Sequence, residues 1–141
     1  MSKGKLTGSE QRKLLTRYWM EKSEESLASS ISEFQAKRLS ACVRTIYYAC
    51  FYAFSAVLWN EGKVFKKHSA VRGALHRDFI KTGKLDAKWG HFYDIIFDSR
   101  QRGDYQPLVE FEPEQVRRFL EKSRGFVWQM KKLLKEQSVI V

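Results

Sequence analysis

The chain has 141 residues and a mass of 16.6 kDa, which is enough for one domain with its own apolar core. Hydrophobic residues make up 43% and aromatic residues 14% of the sequence, so a disordered chain is excluded. A formal net charge of +10 favours a polyanionic partner, either a nucleic acid or an acidic protein surface, although a solvated basic surface gives the same sum.

The first predicted helix begins at Ser9, a residue type suited to the N-cap position, and its weak apolar stripe fades toward Ser32. We expect residues 1–8 to form a flexible tail before it. Residues 34–37 connect this helix to the next one. So short a connection predicts that the two helices are antiparallel neighbours.

A central segment from Arg38 to Gly62 follows, and it contains no charged residue between Arg44 and Glu61. Its apolar residues fall on all sides of a helical wheel, which predicts a buried helix that ends at Gly62. A membrane-spanning helix needs roughly 20 predominantly apolar residues. This run is shorter and rich in tyrosine, so we predict a core helix and no membrane association.

Both cysteines, Cys42 and Cys50, lie in the central segment. Residues eight positions apart on one helix are separated by about 12 Å along its axis, so these two cannot form a disulfide with each other. The N-terminal residues also lack the apolar core of a signal peptide. Together these features predict a cytoplasmic protein.

Three more helices are predicted after Gly62. The third begins at His68 and ends at the Lys81-Thr82-Gly83 turn, and the fourth starts after a capping Asp86 and ends within residues 100–103. The fifth begins at Pro113 and continues to residue 134. No segment alternates as a strand does, so we predict an all-α domain over residues 9–136 and a tail over residues 137–141.

The fifth predicted helix has an apolar face and a cationic face. A cationic face is typical of a solvated surface, but it also suits contact with nucleic acid. The cations concerned are Arg117, Arg118, Lys122, Arg124, Lys131, Lys132 and Lys135.

No metal-binding or nucleophilic motif with a specific spacing is present in the sequence. The three histidines, His68, His76 and His91, are spread over two predicted helices, so we predict neither a metal nor a cofactor.

Three local groups carry the remaining chemistry. The first places Arg44 one turn from the Tyr47-Tyr48 pair on the central helix, and the second places Lys67 and His68 at a helix start, where free N–H groups suit an anion. The third, at a helix end, consists of Arg100, Arg102, Asp104 and Tyr105. In the structural alternative, Arg44 or Arg100 pairs with Asp104 and the tyrosines only pack.

In this order the motifs R-x-x-Y-Y-A-x-F-Y-A, K-H-S-x-V and R-x-x-x-D-Y, with a K-T-G turn between the last two, resemble the HEPN superfamily. The resemblance is to small prokaryotic members that are often encoded beside a minimal nucleotidyltransferase, and it covers about residues 15–134. It implies an up-and-down bundle of four or five helices that forms a homodimer.

In nuclease members of the superfamily, an arginine holds phosphate and a histidine four to six residues later does acid–base work on RNA. Arg100 matches that arginine, but no histidine follows it at this spacing. The catalytic candidates are therefore Arg100, Asp104 as a base, and His68 or His91 brought in by folding. The candidates for binding nucleotide or RNA are Arg44, Tyr48, Lys67 and Arg102.

In some toxin–antitoxin pairs of this superfamily, the nucleotidyltransferase adds AMP to a tyrosine beside the motif histidine. Tyr105 is the nearest equivalent here. The resemblance therefore implies a protein that binds nucleotide or RNA and is the toxin-type partner of a nucleotidyltransferase. Two alternatives are an active metal-independent endoribonuclease and a non-catalytic protein-interaction module.

Overall fold

The computed structural model describes residues 7–137, and within them it contains five α-helices and no strand. A single turn of π-helix, His76–Ile80, continues the third α-helix directly. The prediction of an all-α fold is confirmed. The α-helices are α1 (Gly8–Gln35), α2 (Leu39–Asn60), α3 (His68–Leu75), α4 (Ala87–Tyr105) and α5 (Pro113–Glu136).

Helix α2 is the centre of the bundle and packs against α1, α3, α4 and α5. Its length and composition alone would allow it to cross a membrane, but 61% of its most apolar window is buried inside the bundle. Gly62 follows the helix with φ +76°, a left-handed conformation that glycine adopts without strain. The predicted core helix and its glycine stop are therefore both confirmed.

The long helices alternate in direction around α2. Helix α1 is antiparallel to it, because Ser23 reaches Ala49 while Ser30, further along α1, reaches the earlier Thr45. Helix α4 is antiparallel to α2 as well, and α5 runs parallel to it, with Asn60 and Gln137 bonded where both helices end. The chain thus forms the predicted up-and-down bundle.

Helix α1 starts earlier than predicted. Thr7, rather than Ser9, is its N-cap, since the Thr7 side chain accepts a hydrogen bond from the Glu10 N–H and the Glu10 carboxylate accepts one from the Thr7 N–H. This reciprocal pair is a capping box, and its T-x-x-E spacing is visible in the sequence. Residues 1–6 of the predicted N-terminal tail and residues 138–141 of the predicted C-terminal tail lie outside the described residues.

Helix α1 faces α2 with small polar side chains. Thr16, Ser23 and Ser30 are fully buried and recur every seven residues. Ser23 Oγ donates to the Ala49 carbonyl at 2.6 Å, so its hydroxyl is satisfied although it is buried. The small side chains allow the two helices to pack closely along this seam.

Helix α4 continues to Tyr105, beyond the end predicted within residues 100–103. Gly103 does not end the helix. It lies where neighbouring groups approach closely, since a Cβ at this position would be 3.1 Å from the Phe111 ring and 3.2 Å from Ser40 Oγ. Asp104 therefore lies on the helix, one turn after Arg100. The predicted starts of α4 and α5 are correct, because Asp86 caps α4 and Pro113 begins α5.

Candidate functional site

Arg100 lies on the inner side of α4, and its side chain is only 15% exposed. Its guanidinium carbon is 5.4 Å from the ring centroids of both Tyr47 and Tyr48 on α2. Its Nη2 donates to the Tyr48 hydroxyl at 3.2 Å. The two aromatic faces and the hydroxyl fix the position of the charge and remove much of its water.

Asp104 neutralises this guanidinium from the same helix. Its Oδ2 is 3.1 Å from Arg100 Nε, an ion pair at the i, i+4 spacing. Its other oxygen, Oδ1, is 3.7 Å from Nε of Arg44 on α2. Two arginines therefore share one carboxylate, and one positive charge is left over. Arg44 was predicted on a mostly buried helix, and that helix is buried, but the Arg44 side chain is 57% exposed.

His68, the first residue of α3, lies beside the same tyrosines. Its ring stacks on Phe51 with 4.2 Å between centroids and 5° between planes, and it meets the edge of Tyr48. Its Nδ1 is 2.7 Å from the Tyr47 hydroxyl, a hydrogen bond between groups 21 residues apart. With Nδ1 engaged, Nε2 is the ring nitrogen left for a ligand. We call Arg44, Tyr47, Tyr48, His68, Arg100 and Asp104 the Arg100 cluster.

The ionisation of the cluster suits proton transfer. The pKa of His68 lies below its ordinary value of 6.5, because burial penalises the imidazolium and Arg100 repels it. The ring is therefore neutral at pH 7 and can accept a proton. Burial raises the pKa of Tyr47 to about 12, so that its hydroxyl keeps its proton.

The other predicted site residues lie around this cluster rather than in it. Lys67 is exposed at the N-cap of α3, next to His68. Arg102 and Tyr105 line a separate open groove at the end of α4, where Tyr105 is 74% exposed. His91 is exposed and lies nine residues before Arg100, on the opposite side of α4. Within residues 7–137, no three His, Cys, Asp or Glu side chains are placed to bind one metal ion.

Sequence reasoning did not identify the residues that hold His68. Tyr47 and Phe51 are one turn apart on α2 and together provide the hydrogen bond and the stacking surface for its ring. Their i, i+4 spacing shows that they share a face of the helix, but it does not show which residue packs there. The pairing with α3 comes from tertiary structure alone.

Known proteins of similar sequence indicate the family of this chain. The family model of the HEPN domain matches residues 16–133. A Thermotoga maritima protein named "UPF0332 protein" is 40% identical over 126 residues, which cover 89% of this chain and 96% of that protein.

Two Methanocaldococcus jannaschii proteins, each named "Putative toxin", are also similar. One is 31% identical over 86% of this chain and 82% of its own length, and the other is 27% identical over 83% and 87%. The family match spans every helix that contributes to the Arg100 cluster. The chain therefore belongs to the HEPN domain family.

Proposed function

We propose that this protein is a toxin-like HEPN protein that binds RNA or a nucleotide at the Arg100 cluster and acts together with a nucleotidyltransferase partner. The names of the two archaeal relatives support the toxin-like assignment. The observation that carries the proposal is the sharing of Asp104 by Arg44 and Arg100. A phosphate that binds there would meet an uncompensated positive charge that aromatic rings hold in place.

The geometry supports the order in which a phosphate would meet the two arginines. Arg44 is the exposed member and can contact a phosphate first, while Arg100 is held more deeply by Tyr48 and Asp104. Guanidinium groups can form paired hydrogen bonds with phosphate oxygens, so both arginines can share one phosphate group. Lys67 adds a further positive charge beside His68.

A second candidate function, metal-independent cleavage of RNA, is favoured by the position of His68. In this reaction the neutral imidazole carries its proton on Nδ1 and donates it to the Tyr47 oxygen, so that Nε2 is free to accept. Nε2 takes the proton from a ribose 2′-hydroxyl, and the 2′-oxygen forms a bond to phosphorus. The bond to the 5′-oxygen breaks, and that oxygen takes a proton from water. Arg100 and Arg44 stabilise the charge on the phosphorane, and the products carry a 2′,3′-cyclic phosphate and a 5′-hydroxyl.

A homodimer and a cytoplasmic location belong to the same proposal. Leu108 lies just beyond the cluster, and 99% of its surface is exposed. A second copy that packs beside the cluster would remove this apolar side chain from water. Cys42 and Cys50 are free and buried, as expected for a protein of a reducing compartment.

Incubation of a labelled mixed-sequence RNA with purified protein in EDTA tests the proposal. We expect wild type and the control Arg117→Ala to bind RNA, and Arg100→Ala to lose binding or cleavage. If wild type cleaves the RNA and Arg100→Ala does not, the protein is a metal-independent nuclease. If wild type neither binds nor cleaves RNA or nucleotide, the interaction-module alternative is favoured.

Tyr105 provides a test of the partner. When the proposed nucleotidyltransferase partner is supplied with ATP, we expect a mass gain of one AMP on wild type and none on Tyr105→Phe. Tyr18→Phe is the matched control, because Tyr18 is also exposed, at 47%, but lies on α1. The same gain on Tyr105→Phe, or no gain on wild type, would contradict the assignment.

A further inference from the structure

The outer face of α5 carries an exposed tryptophan. Trp128 is 58% exposed, whereas Phe126, Val127 and Met130 beside it are at most 2% exposed. The indole is therefore not part of the core that these neighbours build. One exposed apolar residue is ordinary on a protein surface, so what distinguishes Trp128 is its surroundings.

Cations surround this ring. Arg124, Lys131, Lys132 and Lys135 lie within about 60° of Trp128 around the helix axis, over about 16 Å of its length. Lys132 Nζ is 5.6 Å from the centroid of the indole. A salt bridge connects Lys131 to Glu24 of α1, but in the described part of the chain no carboxylate lies within 4 Å of the charged groups of Arg124, Lys132 or Lys135.

A surface groove of about 220 Å³ runs along this face and is lined by Trp128, Lys131, Lys132 and Lys135. The groove thus combines one flat aromatic wall with three ammonium groups. Single-stranded nucleic acid fits this combination, because a base stacks on an aromatic ring while cations follow the phosphates. An acidic protein would use the charges but would gain no stacking from the indole.

We infer that this surface, the Trp128 groove, binds single-stranded RNA by stacking a base on the indole and pairing backbone phosphates with Lys132 and Lys135. The inference rests on the proposed function for its ligand, RNA. It adds a docking surface on α5 that shares no residue with the Arg100 cluster on α2, α3 and α4. One strand can then be held at the Trp128 groove independently of the chemistry at Arg100.

The test compares two fluorescent 12-nucleotide probes, oligoadenylate and an abasic oligomer of the same charge, in a binding titration. We expect Trp128→Ala to weaken binding of oligoadenylate about tenfold and to leave binding of the abasic oligomer unchanged, since only the former has bases to stack. Trp128→Phe keeps an aromatic ring and should recover most of the affinity. Thermal melting of both variants checks that the fold is intact.

The charges are tested with the double variant Lys132→Ala/Lys135→Ala. It should weaken both probes and make binding less dependent on salt, by about 1.4 units in the slope of log affinity against log salt for two contacts to a single strand. The matched control, Lys81→Ala/Lys84→Ala, removes the same charge from the exposed turn after the π-helix. Equal losses in the two double variants would overturn the inference.

Two further outcomes would also overturn it. One is unchanged binding of oligoadenylate by Trp128→Ala. The other is binding of a 12-residue polyglutamate as tight as that of RNA, which would assign the groove to an acidic protein.

Arg100→Ala in the same titration separates the two proposals. If Trp128→Ala loses binding while Arg100→Ala changes neither binding nor cleavage, the groove stands and the proposed function of the cluster fails. If Arg100→Ala loses binding or cleavage while Trp128→Ala binds as wild type does, only the proposed function of the cluster stands.

Discussion

Two groups of arginine and carboxylate in this molecule have similar spacing and different surroundings. On α4, Arg100 pairs with Asp104 one turn later, and their side chains are 15% and 22% exposed. On α5, Arg117 pairs with Glu114 and Glu121 within one turn in either direction, and its side chain is 46% exposed. The local sequence pattern is thus almost the same, and tertiary position separates the two groups.

The difference in burial changes what each group can do. Water and salt screen the α5 pairs, so they contribute little to stability and are easily replaced. Tyr47 and Tyr48 cover the guanidinium of Arg100, so its charge acts through a medium of lower dielectric constant. An incoming phosphate would be attracted more strongly there than at the exposed pairs on α5.

Replacement of Arg100 should have the largest effect. We expect Arg100→Ala to lower RNA binding or cleavage about 100-fold, because it removes the deeper phosphate donor. It should also lower the free energy of unfolding by about 2 kcal/mol, because Asp104 loses its closer partner in a half-buried site. RNA assays and urea denaturation measure the two effects.

Arg100→Lys is the control for this variant. It keeps the charge without the fork of donors, so we expect it to recover stability more fully than RNA activity. A loss confined to stability in Arg100→Ala would support the interaction-module alternative instead.

Asp104→Asn should have a smaller effect, with opposite signs for stability and for binding. It leaves Arg44 and Arg100 without a counter-ion, so we expect about 1 kcal/mol of lost stability and a severalfold tighter affinity for RNA. If Asp104 also acts as a base, cleavage falls while binding improves. Glu114→Gln makes the same change of charge on α5, and an equal gain in affinity there would show an effect of net charge alone.

The pH dependence of stability should reveal His68. Its folded-state pKa is lowered by burial and by Arg100, so the unfolded chain takes up a proton first as the pH falls below about 6.5. The free energy of unfolding should therefore rise with pH in this range. The stability that the neutral His68 ring contributes is present above about pH 6.5 and is lost as the pH falls through the folded-state pKa. We expect His68→Gln to flatten this dependence in urea titrations between pH 5 and 7.5.

His91→Gln is the control for that experiment, since it removes an exposed imidazole from the opposite side of α4. Its stability should keep the wild-type dependence on pH. A flattened profile in His91→Gln, or an unchanged one in His68→Gln, would contradict the role given to the half-buried ring of His68.

The smallest effect is expected at Arg117. Arg117→Ala should leave both the melting temperature and RNA binding at the Arg100 cluster unchanged, because its ion pairs are exposed to solvent and salt. Differential scanning calorimetry at low and high salt measures the melting temperature, and an RNA titration measures the binding. A fall in melting temperature as large as that of Arg100→Ala would remove the distinction between the two groups.

Much of the fold could be predicted because its signals are local. The uncharged run of α2, the cap at Asp86 and the proline at position 113 each act within one or two turns of helix. The start of α1 was misplaced although Thr7 and Glu10 carry a capping-box spacing. The faded stripe of α1 has a different cause, because its buried seam consists of Thr16, Ser23 and Ser30, which a search for apolar residues does not detect.

The candidate site could be predicted only in part, because some of its contacts are local in the sequence and others are not. Arg100 and Asp104 are one helical turn apart, so their pairing follows from sequence once α4 is known to continue. The contact of His68 with Tyr47 joins two helices, and the depth of Arg100 depends on the packing of α4 on α2. Both are tertiary features, and no periodicity in a single chain encodes them.

The seam between α1 and α2 has a consequence for the sequences that this fold tolerates. Where two helices pack closely over small hydroxyl-bearing side chains, the volume of the side chain decides which residues fit. A larger side chain would push the neighbouring helix away. In a saturation library, alanine and cysteine should survive at Ser23 and Ser30 while leucine and phenylalanine are lost. At these positions small residues would then be favoured and large hydrophobic residues lost. At Ile46 or Phe54 we expect the reverse, because large hydrophobic residues fill the core there.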